Sequence, residues 1–105
     1  MRIEWLREAG QDLVEIRRYI AADHPGAAVQ VAKRILDTLA DLRDHPEIGR
    51  VGRIPGTREL VIPGLPYIVP YRVKSAAIEI LGVLHTSQEW PQDLKGKYGK
   101  ADKVG

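Results

Sequence analysis

The chain of 105 residues contains no cysteine and no phenylalanine. Lack of cysteine excludes disulfides, cysteine metal sites and thiol nucleophiles, and the usage suits a reducing compartment. Lack of phenylalanine, with aromatics at only 6%, requires an aliphatic core of Ile, Leu, Val and Ala. No apolar run reaches the ~20 residues that would cross a bilayer. The opening Met1-Arg2-Ile3-Glu4-Trp5 has no apolar signal region. No membrane partner and a cytoplasmic location are therefore expected. Charge of one sign is also scarce, at a net +2. Its distribution is uneven: residues 1–47 carry 7 basic and 9 acidic groups, net −2, and residues 48–105 carry 9 basic and 5 acidic, net +4. A polyanionic partner fits the second half better.

The length suits one domain at ~100–200 residues per domain. A chain of this size buries roughly 65% of its unfolded surface, enough for a core of its own. The 44% hydrophobic fraction supplies that core, and the 29% charged fraction supplies a polar surface.

Ile3 and Trp5 alternate with Arg2 and Glu4, which predicts a first strand. Leu6, Ala9, Leu13, Ile16 and Ile20 then recur on one face of a 3.6-residue helix, with Arg7, Glu8, Asp12, Glu15 and Arg18 on the other side. Asp23-His24-Pro25-Gly26 breaks this helix. His24 precedes a proline and leaves helical dihedrals, and Pro25 suits the first position of a new helix. Ala28, Val31, Ala32, Ile35, Leu39 and Leu42 give a second stripe, ended by Asp44-His45-Pro46. Two such helices joined by a short breaker form an antiparallel hairpin.

Glu47 to Thr57 reads as a loop containing Arg50, Arg53 and Pro55. The period then changes to two. Arg58–Ile62, Tyr67–Val73 and Ala77–His85 are predicted strands, with Pro63-Gly64-Leu65-Pro66 and Lys74-Ser75-Ala76 as turns. These make a three-stranded meander. Arg58 and Leu60 share one face, Glu59 and Val61 the other; Ile68, Pro70 and Arg72 alternate against Tyr67, Val69, Tyr71 and Val73. Pro70 conflicts with a central strand because it cannot donate to the ladder, so it requires a bulge or an edge-facing position. The expected fold class is α+β: an N-terminal strand and a two-helix hairpin packed on a small, mainly antiparallel sheet ending in the meander. Residues 1–91 form the domain, and the lysine-bearing residues 92–105 are expected to be a flexible basic tail.

Three sets of residues carry a family resemblance in this order: Arg58-Glu59-Leu60, Pro66-Tyr67-Ile68-Val69-Pro70-Tyr71-Arg72-Val73 and Ile78-Glu79-Ile80-Leu81-Gly82-Val83-Leu84-His85. Ala9-Gly10-Gln11-Asp12-Leu13, with Ile16 and Tyr19-Ile20, and His45-Pro46-Glu47-Ile48-Gly49 add to it. Together they resemble the RelE/ParE superfamily of toxins from bacterial type II toxin–antitoxin systems, over roughly residues 2–91. The resemblance implies a growth-inhibiting protein neutralised by a cognate antitoxin, which alone would bring it to operator DNA. It implies no cofactor and no metal. RelE-like members are ribosome-dependent endoribonucleases acting on mRNA; ParE-like members act on DNA gyrase.

Metal-independent RNA cleavage needs a base, an acid and cations for the phosphorane. Arg58, Arg72 and His85 are the candidate catalytic residues, with Arg50 and Arg53 as further cations and Glu59 and Tyr71 as further acid–base groups. Each also has a structural reading. Arg58 can pair with Glu59 or Glu79, Arg72 can be a solvated strand end, and His85 can be held by a backbone carbonyl. Tyr67, Tyr71 and Trp90 default to packing. The nuclease members usually carry an arginine where this chain has Ile68, and a basic or His-Tyr cluster where it has Thr86-Ser87-Gln88-Glu89. The departure favours the ParE-like branch. A third alternative is a non-toxic member retained as an antitoxin-binding co-repressor module.

Overall fold

A computed structural model describes residues 1–87 of the chain. The tail and Trp90 lie outside the described residues. Strand β1 (Arg2–Trp5) leads into helix α1 (Arg7–Ala21) and helix α2 (Pro25–Ala40), followed by a 3-10 turn at Asp41–Arg43. Strands β2 (Arg50–Val51), β3 (Arg58–Val61), β4 (Tyr67–Val73), β5 (Ala77–Ile80) and β6 (Leu84–His85) complete the order. The expected α+β architecture is present. The loop expected over 47–57 also contributes the short edge strand β2, which pairs antiparallel with β3.

The sheet runs β1-β5-β4-β3-β2, with β6 also on β4. β1 is parallel to β5, and the other pairings are antiparallel. The helices cover one face. Ile35, Leu39 and Leu42 pack there against Leu60, Ile62, Val69, Tyr71, Ile78 and Ile80. Burying each such side chain contributes about 1.5–3 kcal/mol, so this layer holds the helical hairpin to the sheet. Gly64, at φ 74°, allows the tight β3–β4 turn, closed by the Ile62 amide donating to the Tyr67 carbonyl at 3.0 Å.

The strand expected over Ala77–His85 is in fact two. Tyr71 pairs with Ile80, and Ile68 pairs with Leu84. Two residues separate the β4 partners but three separate theirs, so one extra residue bulges out. Pro70 explains the site. Its carbonyl accepts from the Leu81 amide at 2.9 Å, so its donorless nitrogen faces the same flank. A straight partner strand would lose a bond there, and the chain departs instead.

Candidate functional site

Alternation along the strands divides the charged residues between the two sheet faces. Tyr71 points into the helix-covered face and is fully buried. With no phenylalanine in the chain, a tyrosine fills this place, and its hydroxyl needs partners. It donates to the Pro46 carbonyl at 2.7 Å and accepts from the Gly49 amide at 2.9 Å. Burial raises its ionisation above the ordinary value of 10.0, against lowering contributions from the Gly49 amide and Arg58. Arg58, opposite Tyr71 in register, donates to the carbonyls of Gly49 at 2.8 Å and Glu47 at 3.3 Å. The two side chains pin the 46–49 segment. A Cβ at Gly49 would meet the Tyr71 ring and hydroxyl at 2.6 Å. Among the described residues Arg58 therefore pairs with neither Glu59 nor Glu79; its bonds go to backbone carbonyls.

Glu59 points to the opposite face and is 2% exposed. Its Oε2 accepts from the Arg53 backbone amide at 2.9 Å and from Arg53 Nε at 3.0 Å. Its Oε1 accepts from Arg50 Nη2 at 3.1 Å and Arg53 Nη2 at 3.2 Å. Burial alone would raise this carboxyl, but the Arg53 and Arg50 hydrogen bonds outweigh it and hold the group below 4.5. On the same face Arg72 sits opposite Glu79, with Nη2 to Oε1 at 2.7 Å. Arg72 is 8% exposed, so it is a buried ion-pair member, not a solvated strand end.

His85 is exposed and stands opposite Tyr67, edge-on to its ring at 5.6 Å and 88°. Nδ1 accepts from the Ser87 amide at 3.1 Å, with the Ser87 hydroxyl 2.7 Å away. A backbone amide can only donate, so the neutral ring carries its proton on Nε2. Nδ1 is thus held by a downstream amide with the Ser87 hydroxyl beside it. Tyr19, 82% exposed on α1, lies close enough to Tyr67 to raise its ionisation, after burial itself.

The three candidate residues are not brought together. Arg72 lies on the sheet face away from Arg58. Arg58 and His85 flank β4 at positions four residues apart, so their backbones are separated by roughly 13 Å along the strand and two strand spacings across it. Arg50, Arg53 and Glu59 do converge, and Tyr67 and His85 meet edge to face.

Sequence reasoning missed Asp12. Periodicity puts Asp12 on the polar side of α1, but its Oδ2 accepts from the Val83 amide in the bulge at 3.0 Å. Burial raises its carboxyl above 3.8, the Val83 amide lowers it and Glu8 raises it. The signal available was Asp12 with Tyr19 on one flank of the α1 stripe, together with Pro70 as the mark of a bulge.

Residues 3–90 match the family described as ParE toxin of type II toxin-antitoxin system, parDE. The Sinorhizobium fredii (strain NBRC 101917 / NGR234) protein named "Putative toxin Y4kP" is 48% identical over 93 residues, 89% of this chain and 96% of that protein. A structure titled "Chromosomal ParDE TA system from P. aeruginosa" aligns with a TM-score of 0.75 at 28% identity, over 81% of this chain and 95% of that one. The two-helix layer on a mainly antiparallel sheet and these matches define a toxin of a type II toxin–antitoxin system. The chain belongs to the ParE toxin family.

Proposed function

We propose that this toxin inhibits growth by acting on DNA gyrase in the cytoplasm and is neutralised by a cognate antitoxin. The observation that supports gyrase over mRNA is the separation of Arg58, Arg72 and His85. General acid–base cleavage needs its base, acid and cations around one phosphate. Here Arg72 faces away from Arg58, and each arginine is engaged, Arg58 by loop carbonyls and Arg72 by Glu79. Of the three, His85 is the residue proposed to touch the target, because it is exposed beside Tyr67.

The antitoxin is proposed to cover the helical hairpin and a sheet edge. Val14, Val29 and Leu36 stand 50%, 56% and 46% exposed on the hairpin, and an amphipathic helix or an added strand satisfies such a surface. Operator DNA would then be reached only through the antitoxin.

Purified toxin should abolish gyrase supercoiling in a plasmid assay, leave mRNA on translating ribosomes intact and lose its effect when the antitoxin is added. Cleaved mRNA with normal supercoiling would instead support the ribosome-dependent nuclease reading.

A further inference from the structure

The one-residue bulge between β5 and β6 decides which face His85 occupies. If the β4–β5 register continued without it, Leu84 would stand opposite Tyr67. Leu84 would then enter the helix-covered core, and His85 would turn to the other face. With the bulge, His85 stands opposite Tyr67, and Leu84 joins Ile54 and Leu81 in a separate apolar cluster.

Three residues from three places in the chain agree on this geometry. Pro70 offers no amide to a straight partner strand. Gly82 supplies room, since a Cβ there would lie 3.2 Å from Asp12 Oδ2 and 3.8 Å from Pro70 Cγ. Both of these only permit the bulge. Asp12 holds it: an extra residue leaves an amide without a ladder partner, Val83 is buried, and the carboxylate of α1 takes that amide from the layer above, 71 positions away in sequence.

We propose that Asp12 is a positioning residue for His85, fixing the bulge that turns the imidazole toward Tyr67 and so shaping the surface that meets the target. The last clause rests on the gyrase reading given above; the placement of His85 does not. Exposed His85 stands edge-on to the buried Tyr67 ring, and Tyr19, 82% exposed on α1, adds a residue type enriched at the centres of protein interfaces.

The test compares D12A, D12N and H85A in the full chain. The readouts are the Tyr67–His85 ring NOE, antitoxin affinity and gyrase inhibition. In D12A the NOE should vanish and inhibition should fall at least tenfold, with antitoxin affinity within threefold of wild type. D12N retains an acceptor oxygen and should keep the NOE and inhibition within threefold. H85A, at an exposed position, should fold normally and lose inhibition as D12A does. An intact NOE in D12A overturns the positioning role. Full inhibition by H85A overturns the link to the target, and should D12A not fold, loss of the NOE in D12N overturns the account in which an acceptor oxygen at position 12 holds the bulge. If wild-type toxin leaves gyrase untouched, the gyrase reading fails while the NOE arms still decide what Asp12 does.

Discussion

The two faces of the sheet are built from alternate residues of the same strands, yet they are held by different forces. The helix-covered face is aliphatic, with Leu60, Val69, Ile78 and Ile80 against Ile35 and Leu39, and its polar fixture is the Tyr71 hydroxyl. The opposite face carries Glu59 with Arg50 and Arg53, and Arg72 with Glu79. Both pairs obey the pleat. Arg50 stands directly opposite Glu59 and Arg72 opposite Glu79, the arrangement in which cross-strand charges attract most. A charge can be buried in this sheet because register delivers a partner; the covered face is filled by size and apolarity, apart from Tyr71 and Arg58, whose bonds go to the 46–49 backbone.

Removing Glu59 should break this comparison most severely. Glu59→Ala strands two guanidiniums and frees the Arg53 amide. Loss of one partner of a buried pair costs about 3–5 kcal/mol, and because Arg50 and Arg53 are half-exposed, about 2–4 kcal/mol is expected from urea unfolding. On the covered face, Tyr71→Phe keeps the ring and removes the hydroxyl. The buried Gly49 amide and the Pro46 carbonyl lose their partner, a loss of about 1–3 kcal/mol by the same measurement.

Acid titration sharpens the contrast further. Glu59 titrates below its ordinary 4.5, so its contribution is present above that pH and is lost as pH falls through the folded-state value. Asp12 titrates above its ordinary 3.8, so the folded state binds its proton more readily. Its linkage has the opposite sign, and stability falls as pH rises from 3.8 through the raised value. Stability measured against pH should lose part of its acid slope in Glu59→Gln and show a steeper acid slope in Asp12→Asn. Smallest of all, Glu15→Ala removes an exposed pair with Arg18 at 3.3 Å. Such pairs contribute little, and the unfolding midpoint should move by no more than about 0.5 kcal/mol equivalent.

Much of the fold was legible from periodicity. Ala9, Leu13 and Ile16 mark the buried stripe of α1, and Ala28, Ala32, Ile35 and Leu39 that of α2. Pro25 opens α2 as expected. Pro70 left two expectations open, a bulge or an edge-facing position, and the structure has a bulge, on the partner strand, because a missing donor is accommodated by whichever chain lies across from it. The site was less legible. Arg58 and Arg72 are seen in sequence as two cations near one another in the meander, yet they fall on opposite faces and bond to groups from 7 to 11 positions away. Candidate pairing of Arg58 with Glu59 failed for a simple reason: adjacent strand residues point to opposite faces.

Local pattern thus carries the helices, the strands, the turns and the side of each element that is buried, since these depend on residues within a few positions of one another. Long-range register carries the rest. Whether Leu84 or His85 stands against Tyr67 depends on one extra residue in a strand, on a proline in its neighbour and on a helix carboxylate 71 positions before the Val83 amide that it accepts from. No local window contains all three, so only packing the helix layer on the sheet decides it.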